Sequence, residues 1–115
     1  MPIILVDKKI KKSELLEIAE KQFGDLVKAV VDIKKKVMVI GAELHADEET
    51  LLLEKESAQG DLWGINLYPE KSGEEFIEYD SMINIRPSQG NRSLSVNDPA
   101  IRQEIIKIVS QLVQE

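Results

Sequence analysis

At 115 residues, 43% apolar and 31% charged, the chain has the composition of a soluble globular protein, and a single α+β domain over residues 1–115 is expected. Cysteine is absent, which excludes disulfides, thiol nucleophiles and Cys-ligated zinc or iron–sulfur sites. A net charge of −6 (15 Lys+Arg against 21 Asp+Glu) opposes polyanions, so nucleic acid is not an expected partner.

The N-terminal "MPIILVDKKIKK" places a short apolar run ahead of its charges, the reverse of a signal peptide. No apolar run approaches the ~20 residues of a membrane span. No membrane association is expected, and a cytoplasmic location is the default. Lysine clusters at Lys8–Lys12 and Lys34–Lys36 lack interleaved arginine or aromatic residues, and read as solvated turns.

In chain order, Ser13 is a helix N-cap candidate, with Glu14 and Glu17 in the first turn. Leu15, Leu16, Ala19 and Phe23 follow at helical spacing, and Gly24 is the stop. Residues 27–33 and 38–44 alternate apolar and polar positions around a lysine turn, which predicts a β-hairpin. The run "HADEETLLLEKES" fits either a short helix capped by Asp47 or a buried strand, with strand favoured slightly. "DLWGINLYP" and "EFIEYDSMINIRP" predict a second hairpin around Gly73, with Ile77, Tyr79, Ile83 and Ile85 on one face. Asp98 as N-cap, Pro99 at the first helical position, and the stripe Ile101, Ile105, Ile108, Val109 and Leu112 predict a C-terminal helix. The expected architecture is an antiparallel sheet of four to five strands in two hairpins, flanked by an N-terminal and a C-terminal helix covering one face.

Three stretches carry polar residues of chemical interest. If the second strand runs to Asp47, then Glu43, His45 and Asp47 alternate onto one face, a pattern suited to a weak hard-metal site or an oriented histidine base. The polar outer face of a strand explains the same pattern, and no metal or other cofactor is assigned. In "DLWGINLYP", Trp63 is a core candidate, Gly64 marks a bulge or a close backbone approach, and Asn66 can line a small polar pocket. Asp61 and Asn84 complete this candidate pocket. The third stretch is "INIRPSQGNRSLSVND", where Arg86, Asn91, Arg92, Ser93 and Arg102 gather near a helix start and form a candidate anion site. Against an anion, Asp98 occupies the helix start, and one glycine in the stretch is too few for a phosphate loop.

The segment order "GAELHAD", "LLLE", "QGDLWGINLYP", "INIRPSQGNRSLSVNDPAIR" resembles a family of small uncharacterised prokaryotic proteins, a domain family of unknown function. The likeness runs from about Val27 to the C-terminus. It implies a stand-alone bacterial or archaeal domain and carries no catalytic assignment. With no recognisable catalytic motif, the expected function is a small non-catalytic binding or regulatory domain, forming a homodimer through a sheet edge or the last helix. The alternative is a small metal- or anion-dependent enzyme using Glu43, His45, Asp47, Arg86 and Arg92.

Overall fold

A computed structural model describes residues 3–115. The chain begins with β1 (Ile4–Val6), β2 (Ile10–Lys11) and α1 (Lys12–Lys21), followed by the hairpin β3 (Val27–Asp32) and β4 (Val37–Ile40). Then come α2 (His45–Glu54), β5 (Leu62–Leu67), β6 (Ile77–Glu78), α3 (Pro99–Leu112) and β7 (Val113–Gln114). The main sheet is antiparallel in the order β1-β4-β3-β5-β6, and β2 pairs in parallel with β7. The fold is therefore α+β.

The predicted first hairpin forms, with Ala29 opposite Ile40 and Asp32 opposite Val37. Its turn is made by Asp32, whose Oδ1 accepts the N–H groups of Lys34 and Lys35 at 2.9 Å, while Lys36 takes a positive φ of 60°. An aspartate that bonds its own following backbone supplies the turn that the absent Asn-Gly would otherwise give. Asp32 Oδ2 also accepts the Ser57 hydroxyl at 2.6 Å, so the same side chain pins the end of α2 to the sheet.

Both faces of the sheet are covered, where one was expected. Ala29, Val31, Met38, Ile40, Trp63 and Ile65 pack against α1 and α3, through Leu15, Ile18, Ile105 and Ile108. The alternate residues Val30, Val39 and Leu62 pack against Leu52 of α2. Central strands buried on both sides lose polar alternation, which is why β4 and β5 are apolar nearly throughout.

The slight preference for strand in the triple-leucine run is overturned. Residues 45–54 form a helix that ends with Ser57 N donating to Leu52 O and Glu56 N donating to Leu53 O, with Glu56 at φ 72°. This is the αL helix ending that glycine usually fills. The chain uses glutamate instead, and the signal for a helix end is hidden from a reading by residue type.

The second hairpin is shorter than predicted. Strand β6 ends at Glu78, and residues 82–84 form a 3-10 turn, so Ile83 and Ile85 do not continue a strand face. The reason lies at Gly64, where a Cβ would stand 2.5 Å from both Cβ and Oγ of Ser81. Ser81 lies directly on the β5 backbone, and its hydroxyl accepts the Ile83 N–H at 3.3 Å, which starts the turn. Gly64 is thus the close approach and not a bulge, since it pairs in register with Val30. Gly64→Ala is expected to destabilise the domain by about 2–3 kcal/mol. A thermal midpoint within a degree or two of the parent would contradict it.

Candidate functional site

The sixteen residues from Ile83 to Asp98 are held together by their own polar side chains. Asn84 is fully buried and straddles Gly64, accepting its N–H at 2.8 Å and donating to its carbonyl at 2.9 Å. Beyond the short β6, this side chain satisfies backbone groups that another strand would otherwise bond. Arg86 does the same one step along, donating from Nη2 to the Leu62 carbonyl and stacking 4.7 Å from the centre of the Trp63 ring. Its remaining charge faces Glu49 at 3.6 Å. Burial lowers the Arg86 pKa and Glu49 opposes that shift.

Asn91 donates to the carbonyls of Asn84 and Ser95, each at 2.7 Å, and its Oδ1 accepts Asn97 N at 2.9 Å. Ser93 bonds Asn97. Arg102 donates to Val96 O at 2.6 Å and to Ser95 Oγ at 2.7 Å, and lies over the Tyr79 ring. Asp98 caps α3 as predicted, accepting Ala100 N at 2.9 Å. The Nη donors of Arg86, the Asn91 amide and the Arg102 Nε and Nη2 donors are thus spent on the chain itself, while the buried Arg86 Nε has no hydrogen-bond partner. Only Arg92 of the three arginines is exposed without a partner among the described residues.

Helix formation from His45 removes the strand alternation on which the Glu43, His45 and Asp47 grouping depended. Glu43 and Asp47 are exposed, His45 is buried, and no group of three His, Asp or Glu suited to a metal exists among the described residues. Asp61 lies in a 3-10 turn before β5, and Trp63 is in the core.

The structure does bring His45 and Asn66 together. They share a cleft of about 480 Å³ with Lys28, Asp80 and Ser81. The rim is apolar and exposed, with Met82 at 76%, Leu44 at 57%, Phe23 at 42% and Leu94 at 41% accessibility. Histidine 45 is placed by the first turn of α2, and its Nε2 lies 2.8 Å from the Ile65 carbonyl, so that nitrogen carries the proton. Burial holds the imidazole below its ordinary pKa and Lys28 adds to this, while the Ile65 bond, the neighbouring Asn66 side chain and the Asp80 charge oppose it. Asn66 Nδ2 donates to Glu78 Oε1 at 2.8 Å and to the Asp80 carbonyl at 3.2 Å, which fixes the amide orientation. Its Oδ1 has no hydrogen-bond partner.

One turn along α2 from His45, Glu48 is fully buried and accepts Ala42 N at 3.1 Å. Burial raises its pKa to about 9, so it is a neutral acid at physiological pH. Glycine-alanine at 41–42 gave no hint that a carboxyl would be needed to satisfy the strand-to-helix corner. A larger groove of about 540 Å³ follows α3, but its Lys12 is already bonded to the Lys71 carbonyl.

Across residues 4–112 the sequence matches a family described as proteins of unknown function. The chain belongs to the DUF5674 family. No curated protein and no solved structure matches this DUF5674 chain. Among its described residues, no helix is long and apolar enough to cross a membrane.

Proposed function

We propose that this DUF5674 domain is a non-catalytic binding module whose site is the cleft between the start of α2 and residues 80–83. The observation that carries the reading is the convergence, in one cleft, of a polar floor and four of the large exposed apolar side chains. Exposed apolar residues scattered singly need no explanation, whereas grouped around a concave polar floor they favour a ligand site. Binding is favoured over catalysis because the one hydroxyl in the floor, Ser81, packs against Gly64 and accepts a backbone N–H.

The test is titration of the isotope-labelled protein with bis-ANS, followed by amide NMR. Shifts are expected at residues 44–46 and 81–83, and the paired change Leu44→Ser, Met82→Ser is expected to weaken binding by about tenfold or more. Shifts confined to the groove along α3, or none anywhere, would refute the reading.

A further inference from the structure

We propose that the cleft recognises an apolar α-amino acid by its carboxylate and its α-nitrogen, either free or as the C-terminal residue of a peptide. This rests on the reading of the cleft as a binding site, and it is argued from what the two kinds of polar group in the cleft offer.

One set of groups suits an anion. Helix α2 has ten residues and opens behind Leu44, a residue with no side-chain cap, so the first-turn N–H groups of His45 and Ala46 lack the usual oxygen partner. Both residues line the cleft, and so does Lys28, which makes no ion pair among the described residues and rests 5.2 Å from the centre of the Phe23 ring. Backbone donors at a helix start beside an ammonium group suit a carboxylate.

A second set, beside the first because Asn66 lies opposite Lys28 in the sheet, wants N–H donors. Asn66 is only 7% exposed, and its Oδ1 is unpartnered while Nδ2 is held by Glu78 and Asp80. With Nε2 of His45 committed to Ile65, the ring nitrogen left over is the acceptor Nδ1. The exposed Asp80 carboxylate adds a negative charge at the same wall. A buried acceptor without a donor is costly, and a ligand N–H relieves that cost.

These two demands, with the apolar rim between them and solvent, select the ligand. A plain apolar carboxylate leaves Asn66 Oδ1 unpaired. A plain apolar amine leaves the helix start uncapped. An apolar amino acid answers both, and about 480 Å³ is within the range of small-ligand sites.

The experiment is calorimetric titration of the full chain with L-leucine, N-acetyl-L-leucine and L-leucinamide, with amide NMR to locate each. L-leucine is expected to shift the signals of His45, Ala46 and Asn66, and leucinamide, lacking the carboxylate, to bind at least tenfold more weakly. N-acetyl-L-leucine binding as tightly as leucine assigns a peptide C-terminus; weaker binding assigns the free amino acid. Lys28→Met is expected to weaken leucine about tenfold, and the exposed Asp80→Asn, which leaves the fold undisturbed, to weaken it severalfold. Equal binding of leucinamide and leucine, or no binding of either carboxylate at millimolar concentration, overturns the proposal. If bis-ANS still shifts the cleft signals in that case, only the ligand class is lost; if it does not, the cleft itself is not a site.

Discussion

Asn84→Ala is expected to remove about 3 kcal/mol of stability, seen as a lower urea midpoint with an unchanged slope. The side chain is fully buried and bonds Gly64 N, Gly64 O and Leu94 O at 2.8, 2.9 and 3.0 Å. A net hydrogen bond is worth about 1 kcal/mol, but a buried donor or acceptor left unpaired costs about 1–3 kcal/mol. Alanine orphans three such groups and opens a small cavity, so the unpaired groups dominate. Hydrogen exchange gives a site-specific check, because the Gly64 amide should lose protection selectively in the variant. A loss below about 1 kcal/mol would mean that water satisfies Gly64 and that the loop is not what completes the sheet.

Glu48→Gln is expected to raise stability by about 2 kcal/mol at pH 8 and to lose that advantage towards pH 5. The folded chain keeps the Glu48 proton up to about pH 9, whereas the unfolded chain releases it near the ordinary value of 4.5. Between those values the folded state binds more protons, so stability falls as pH rises, by about 1.4 kcal/mol per pH unit per proton, and levels off outside the window. Glutamine keeps an acceptor for Ala42 N and has no proton to lose. It also buries an amide N–H₂ where Oε1 of Glu48 has no partner, and that cost offsets part of the gain. His45 acts in the opposite sense below pH 6.5, because the unfolded histidine takes a proton that the buried ring resists. The comparison therefore belongs between pH 7 and 9, where histidine has finished titrating. Parallel stability curves for the two proteins over that range would show that Glu48 is ionised in the fold.

Periodicity and caps identified several elements because they are local properties. The C-terminal helix shows a cap, a proline at its first position and one apolar stripe, all within fifteen residues. The first hairpin shows two alternating runs of matched length. In contrast, β1, β2 and β7 are two or three residues long and exist only through their partners β4 and, for the parallel pair, each other. No window of sequence holds that information. The α2 segment was ambiguous because three consecutive leucines carry neither a period of 2 nor one of 3.6.

The site shows the same division. Composition by itself excluded cysteine chemistry, the order of the predicted elements pointed to α+β, and the residue pattern placed Asp98 as a cap and Trp63 in the core and marked Gly64 as a bulge or a close approach. Only the tertiary structure decided what the polar residues do. Arg86, Asn91 and Arg102 look alike as donors in one loop, yet each is spent on a carbonyl brought to it by the chain's return path. His45 and Asn66 are twenty-one positions apart on different elements, and share a cleft because α2 starts where β5 passes beneath it. A side chain's hydrogen-bonding capacity is written in the sequence, but whether that capacity is used up or left open depends on backbone groups far away along the chain.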